Sequence, residues 1–238
     1  MARKRRSRGG KRRGWRTPLL LVVLLAAALA AGWMHWHSRH WRPSEALYPE
    51  QGVLAGEGDG PVRFAIVKGL GGSFAYLEAS RGAKGRDRSF IANLAAARES
   101  GLAAGAVHVF DPCAPADAQS ANFVIAVPRD ARLLPPAILL DGDAEFCAAP
   151  VSEAAIQSEL MTLVNQIEAH AGKPAILAPS AEFERRYRVG GRIERKLWLT
   201  RSLAEPGYAG RPWTLWTANP HLQTEAAERP LRWVVARP

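Results

Sequence analysis

The stretch Pro136-Ala137-Ile138-Leu139-Leu140-Asp141-Gly142-Asp143 decides how the rest of the chain is interpreted. Its apolar run begins at a proline and ends in carboxylates, which is typical of a buried strand. Alternate residues of a strand share a face, so we expect Asp141 and Asp143 to project the same way, roughly 7 Å apart along the chain. Two carboxylates at the carboxyl end of a core strand are the arrangement of an acid–base site in a barrel. The alternative is that they cap the strand and face water.

Short apolar runs on both sides of this stretch predict further strands. Together with 136–143, the predicted strands are 52–55, 62–68, 103–110, 174–178, 196–200, 213–217 and 231–235. Helical periodicity predicts helices over 87–100 and 116–127 and from the cap Ser152 to Gly172. This alternation predicts a mostly parallel sheet, and eight strands favour closure. The later strands are joined by too little chain for full helices, so we expect an α/β fold with an irregular TIM-like (β/α) barrel.

The net charge of +10 belongs to one end of the chain. Nine Lys and Arg residues lie within 1–16, and two more, Arg39 and Arg42, precede the first acid at Glu45. The remainder is close to neutral. A basic tail without a basic fold gives no nucleic-acid footprint, so we expect no nucleic-acid partner.

An apolar stretch follows the basic tail. Residues 17–36 contain a run of Leu, Val and Ala with Trp33 and Trp36 at its far end. Arginines before such a run predict a single-pass membrane segment with a cytoplasmic amino terminus. The expected organisation is a basic cytoplasmic tail (1–16), a transmembrane anchor or signal segment (17–36), a linker (37–50) and a barrel domain (51–238) in the periplasm or outside the cell. The small residues Ala28-Leu29-Ala30 leave cleavage of the segment as an alternative.

Two cysteines, Cys113 and Cys147, lie in the exported part. Each follows a predicted strand by a few residues, so a disulfide between neighbouring strand ends is plausible. Two free buried thiols are the alternative. His35, His37 and His40 have no carboxylate or cysteine beside them, and we predict no metal site and no cofactor.

An ordered series of motifs from Gly52 onward resembles glycoside hydrolase family 25, the lysozymes that cut the muramic acid–glucosamine bond of peptidoglycan. Leu140-Asp141-Gly142-Asp143 falls where the family carries Leu-Asp-Val-Glu. The other matching segments are Asp87-Arg88-Ser89-Phe90 with Asn93, Gly101-Leu102, Gly105-Ala106-Val107-His108-Val109-Phe110, Gly172-Lys173-Pro174, Leu197-Trp198-Leu199 and Trp213-Thr214-Leu215-Trp216. The resemblance implies a barrel that acts on peptidoglycan glycan strands.

The departures from the family pattern lie at mouth positions. Leu54 stands where the first acid belongs, Val107 replaces a tyrosine, Asp143 replaces the glutamate, Leu177 or Ala178 replaces a second tyrosine, Thr217-Ala218 replaces Gln-Tyr, and Arg232 replaces the acid of the final strand. Asp141 is the clearest match that remains.

The resemblance implies that Asp143 is the acid that protonates the leaving oxygen. It also implies that Asp141 orients or stabilises a substrate acetamido group acting as internal nucleophile. Aspartate is one methylene shorter than glutamate, and a misplacement of about 1 Å can lower the rate by roughly a hundredfold.

Asp111, His108, Glu57 and Trp216 are the candidate substrate-binding residues. Glu57, Asp59 or Asp111 could also replace the acid lost at Leu54, although carboxylates in such loops more often face solvent. A histidine at position 108 is more often a core residue than a catalytic one.

Three functions therefore stay open: a membrane-anchored muramidase, a catalytically impaired lysozyme-fold module that binds peptidoglycan or a protein partner, and a hydrolase of shifted specificity that uses Glu57 or Asp111.

Overall fold

A computed structural model describes residues 16–238, so the predicted basic tail, apart from Arg16, lies outside the described residues. Helix α1 (Arg16–His40) is apolar from Pro18 onward, with a mean hydropathy of 2.0 and the length to cross a membrane. Residues 37–40, predicted as linker, belong to this helix. A second compact unit covers Arg39–Pro238.

The second unit is built on a closed barrel. The described strands are β1 (Gln51–Ala55), β2 (Gly72–Arg81), β3 (Gly85–Arg86), β4 (Ala103–Val109), β5 (Ala137–Leu140), β6 (Ile176–Pro179), β7 (Lys196–Thr200), β8 (Leu215–Leu222) and β9 (Leu231–Ala236). All but the short β3 form the barrel, in the order β1-β2-β4-β5-β6-β7-β8-β9, which closes through β9 and β1. Strands β1 to β8 of the barrel run parallel, and β9 is antiparallel to both neighbours. The irregular α/β barrel is confirmed.

Helices cover most of the outer surface. They are α2 (Phe64–Gly69), α3 (Phe90–Glu99), α4 (Ala116–Ala126), α5 (Glu153–Ala171), α6 (Ala181–Tyr187) and α7 (Val189–Arg192), with 3-10 turns at Glu57–Asp59 and Ala144–Phe146. In α5, the Ser152 hydroxyl accepts a hydrogen bond from the Ala155 N–H at the start, and Gly172 in the left-handed conformation ends the helix.

One predicted strand is wrong. Residues 62–68 form a bridge residue and most of α2, and the strand lies just beyond them, in β2. Within α2, the buried side chains Phe64 and Val67 are three positions apart, which is a helical spacing. Before the structure is known, however, a continuous apolar run this short fits a buried strand as well as a helix.

The core has two layers. Side chains inside the barrel include Phe74, Tyr76, Val107, Trp198 and Val234. A larger layer lies between the barrel and its helices. The alternation of strand side chains thus separates an inner stack from the helix-facing core.

Residues 41–50, predicted as part of a linker, instead pack on the barrel. Tyr48 lies against Trp213 and Trp216, with ring centroids 6.2 and 5.7 Å away. The Arg42 guanidinium lies 4.8 Å above the Trp233 ring. These aromatic contacts hold the segment against the side of the barrel formed by β8, β9 and β1.

Candidate active site

Asp141 lies at the mouth of the barrel. It follows the last residue of β5 and lines a cavity of about 280 Å³. Trp198, from the inner core, lines the same cavity, and its indole N–H donates to the Thr217 hydroxyl at 2.8 Å. The Trp198 ring is 1% exposed, so it forms part of the cavity wall and leaves Asp141 as the polar group at the mouth.

Asp143 takes a different position from the one predicted. Strand β5 ends at Leu140, so neither aspartate lies on the strand. Asp143 caps the 3-10 turn that follows, and its carboxylate accepts from the Glu145 N–H at 2.9 Å. The Arg186 guanidinium also binds this carboxylate at 2.9 Å. Asp141 and Asp143 nevertheless share a second, smaller cavity of about 60 Å³.

A third cavity of about 600 Å³ adjoins the first, since Arg232 lines both. Arg232 binds Glu78 at 2.7 Å and Asp59 at 2.9 Å. Glu57 lines the same cavity but is bound by Arg88. This hydrogen bond with Arg88 lowers the pKa of Glu57. Asp59, Glu78 and Glu57 are therefore each engaged in an ion pair with Arg232 or Arg88.

Leu54 lies at the barrel mouth, where the first acid is expected. Its side chain is 3% exposed, belongs to the inner core and lines the 280 Å³ cavity. Its strand register places it beside Tyr76 on β2 and Arg232 on β9. An apolar side chain thus occupies the wall where an acid is expected.

His108 is fully buried and lies outside all three of these cavities. Its Nδ1 is 2.8 Å from the Ser80 hydroxyl, and its Nε2 is 3.2 Å from the Gln119 side-chain oxygen. Burial lowers its pKa to about 4. A neutral ring with both nitrogens paired is a core histidine, and the position does not fit a substrate contact.

Two other predicted binding residues lie away from the mouth cavities. Trp216 is buried in the outer layer, where its ring packs against Trp41 and Tyr48. Its position does not fit the predicted substrate contact, whereas Trp198 faces the mouth. Asp111 follows β4, and its carboxylate accepts from the Cys113 N–H at 2.9 Å.

The loops after β4 and β5 are joined by a disulfide between Cys113 and Cys147, with Cα atoms 5.2 Å apart. A Cβ built on Gly142 would lie 2.6 Å from the Pro112 ring, so the two loops also pack closely. The disulfide holds the loop of Asp143 from one side, and Arg186 holds it from the other.

Sequence analysis did not identify Glu78, Arg186 and Tyr187, which line these cavities. Glu78 lies two residues beyond Tyr76 on β2, so strand alternation places it at the mouth once β2 is recognised. Arg186 and Tyr187 come from α6, which lies outside the barrel wall. Among the described residues, no group of three or more His, Cys, Asp or Glu side chains is arranged to hold a metal.

A protein-family model matches most of this chain. The family is Glycosyl hydrolases family 25, and the match covers residues 56–224. Lysozyme M1 of Streptomyces globisporus is 33% identical over 89 residues, which cover 36% of this chain and 30% of that protein. The chain therefore aligns with less than a third of that curated relative.

Solved structures share the fold. A family 25 glycosyl hydrolase from Bacillus anthracis superposes with a TM-score of 0.74 at 23% identity, covering 83% of this chain and 92% of that one. A lysozyme from Streptomyces coelicolor gives 0.71 at 21% identity, covering 79% and 92%. A muramidase from Trichobolus zukalii gives 0.65 at 18% identity, covering 79% and 93%.

Proposed function

Because this chain belongs to glycosyl hydrolases family 25, we propose that it is an exported, membrane-anchored peptidoglycan hydrolase of the muramidase type. The observation that carries the proposal is the position of Asp141, a carboxylate at the barrel mouth that lines a cavity together with the Trp198 ring. The lysozyme and muramidase relatives support the reaction class.

Asp143 is the general acid in this proposal and Asp141 the orienting carboxylate. Cleavage of a glycosidic bond requires a proton on the leaving oxygen and a negative group near the developing positive charge. The two residues border one small cavity, and Asp141 also borders the larger one, so a sugar in the larger cavity would contact Asp141 directly. Asp143 has to release Arg186 to take up its proton.

The test is hydrolysis by the full chain in detergent micelles. We expect the protein to clear a peptidoglycan suspension and to release reducing ends. Asp143→Asn should lower the rate by at least about a hundredfold, since general acid catalysis contributes about that much. Asp117→Asn, on the exposed side of α4, is the matched control and should leave the rate unchanged. A folded wild-type protein without activity from acidic to neutral pH would overturn the proposal.

The membrane part rests on α1, whose residues from Pro18 onward have the length and composition of a span. We expect the full chain to sediment with membranes and to resist extraction by alkaline carbonate. Leu24→Arg at the middle of the helix should weaken insertion, because an arginine there costs about 2.5–3.5 kcal/mol. Recovery of a soluble protein that begins near residue 31 would instead indicate cleavage.

A second candidate is a lysozyme-fold module that binds glycan without cutting it. Leu54 on the cavity wall and the ion pair between Asp143 and Arg186 favour it, because both reduce the supply of free acid. Sedimentation with insoluble peptidoglycan without release of reducing ends would support this function. Substitution of Trp198 by Ala should then weaken sedimentation.

A further inference from the structure

The 600 Å³ cavity differs in chemistry from the 280 Å³ mouth cavity beside it. Among the described residues, its lining consists of charged side chains of both signs, one serine and two glycines, with no aromatic or aliphatic side chain. A polar group that loses water on binding needs a new polar partner, so such a lining favours a charged ligand. The two cavities adjoin at Arg232, which lines both.

Most charges of this lining are already paired. Arg232 and Arg88 bind three of its four acids in the ion pairs described above, and Arg81 lies 3.5 Å from one of these acids. The fourth acid, Asp87, accepts hydrogen bonds from two backbone N–H groups. Within the described part of the chain, Arg86 is thus the guanidinium of the lining that has no acid partner.

A buried amide holds Arg86 in place. Arg86 lies on β3, exposed to solvent, and its Nε donates to the Asn122 side-chain oxygen at 2.8 Å. Asn122, on α4, is 2% exposed, and its amide nitrogen donates to the Gly82 and Gly85 carbonyls at 2.9 and 2.8 Å. The amide therefore fixes both the turn before β3 and the inner nitrogen of the guanidinium. The two terminal nitrogens remain as donors, and this is the edge with which arginine binds a carboxylate through two parallel hydrogen bonds.

The strand register gives the distance between Arg86 and the mouth cavity. Leu54, which lines the mouth cavity, pairs with Tyr76 on β2, and Arg86 pairs with Ser80 on the same strand. Two strand spacings across and four residues along place the Cα atoms of Leu54 and Arg86 roughly 16 Å apart. A carboxylate attached directly to a sugar ring does not span this distance. An extended peptide does so with roughly three to five residues, at about 3.3–3.6 Å per residue.

We propose that the 600 Å³ cavity binds the short peptide carried by a peptidoglycan sugar, and that the Arg86 guanidinium binds a carboxylate of this peptide. The proposal rests on the proposed function, because it takes the sugar to lie in the mouth cavity beside Asp141. Arg86 contacts the substrate and determines specificity, but it takes no part in breaking the glycosidic bond.

The first test measures binding and requires no catalysis. The full chain in detergent micelles is titrated in a calorimeter with a synthetic muramyl tripeptide whose only carboxylate is its carboxyl terminus, and with the same compound as its terminal amide. We expect the acid to bind roughly tenfold more tightly than the amide, which corresponds to a charge-assisted pair with one guanidinium. Equal affinities of the wild type for the two compounds would overturn the proposal, and this comparison does not depend on the folding of any variant.

Arg86→Gln should abolish the difference between the acid and the amide. Lys84→Gln is the matched control, because Lys84 is an exposed cation in the same turn and lies outside the lining. It removes the same charge and should retain the preference for the acid. If Lys84→Gln weakens binding of the acid as much as Arg86→Gln does, the effect is general electrostatic attraction and the site at Arg86 is wrong.

The second test measures hydrolysis of soluble glycan strands with their peptides and of strands from which an amidase has removed them. We expect kcat/KM to be roughly tenfold higher on the peptide-bearing strands, through a lower KM, and Arg86→Gln to remove this advantage with kcat unchanged. An active wild type without the advantage overturns the peptide site and leaves the proposed function. An inactive wild type that still distinguishes the acid from the amide overturns the proposed function and leaves the peptide site.

Discussion

His108 is a neutral imidazole in the layer between barrel and helices, and this makes the fold sensitive to acid. Burial lowers its pKa to about 4, against 6.5 for an ordinary histidine. As the pH falls, the unfolded chain takes up the proton first. Stability that is present above pH 6.5 is therefore lost between about pH 6.5 and 4, by about 3 kcal/mol.

Substitution of His108 by Gln should remove this part of the pH dependence. The free energy of unfolding in urea, measured at pH 7 and at pH 4, gives the loss of stability on acidification for the wild type and for the variant. His221→Gln, at an exposed histidine, is the control and should retain the wild-type slope. A variant at position 108 with that same slope would show that the acid sensitivity arises elsewhere.

Arg186 binds the Asp143 carboxylate at 2.9 Å, and this ion pair has to open before Asp143 can reach a leaving oxygen. If Asp143 is the acid, Arg186→Met should raise kcat at neutral pH severalfold, as measured by release of reducing ends. Arg185→Met, at a 77% exposed neighbour that binds Glu182, should have no effect. A loss of activity at Arg186→Met as large as at Asp143→Asn would show that Arg186 is needed for catalysis.

At the level of single residues, sequence reasoning could place Asp141 but not its surroundings. The family motif fixes Asp141 at a strand end, and the strand end fixes it at the mouth. Trp216 and Trp198 are both tryptophans on late strands, and only the barrel decides which one points inward. Arg186 comes from a helix whose position depends on packing rather than on local pattern.

Among the elements, the loops after β4 and β5 are joined by the disulfide between Cys113 and Cys147. The loop after β5 carries Asp143, the proposed acid. A disulfide that closes a loop of 34 residues stabilises by about 3–4 kcal/mol in the chain-entropy description. Cys113→Ser with Cys147→Ser should lower the free energy of unfolding by about this amount, measured in denaturant. Wild type treated with a reducing agent should match the double variant, and unchanged stability in both would contradict the prediction.

Strand β2 shows why element prediction failed once. Glycines 69, 71 and 72 follow the predicted strand 62–68, and in the structure they mark the end of helix α2 and the start of β2. Gly71 has a φ of +89°, which suits the turn between helix and strand. The strands of the second half are bounded by more evident signals and lie close to their predicted positions.

For the whole molecule, the closed barrel followed from counting strands and helices, but the role of residues 41–50 did not. Their polar, proline-containing composition is typical of a linker. Only their contacts with Trp216 and Trp233, on β8 and β9, and with Trp213, just before β8, make them part of the domain. This contact joins positions far apart in the chain, which local patterns do not reveal.

A fragment that begins at Gln51 should therefore be less stable than one that begins at Arg39. Removing Trp41 and Tyr48 exposes the rings on which they pack, and each large aromatic side chain contributes roughly 2–3 kcal/mol when buried. We expect a lower Tm and a lower soluble yield for the shorter fragment. Equal Tm values for the two fragments would show that the segment does not stabilise the barrel.

The same segment determines how the domain would carry mechanical load. It runs from the carboxyl end of β8, where the Gln223 N–H donates to the Arg39 carbonyl, to the amino end of β1, where the Ala236 N–H donates to the Glu50 carbonyl. Between these ends, the Asn219 side chain donates to the Trp41 carbonyl and Arg42 donates to the Leu70 carbonyl. Tension applied through the amino terminus would strain these attachments before it reached the barrel hydrogen bonds. The segment would therefore take up part of the tension before the strands at the mouth are distorted.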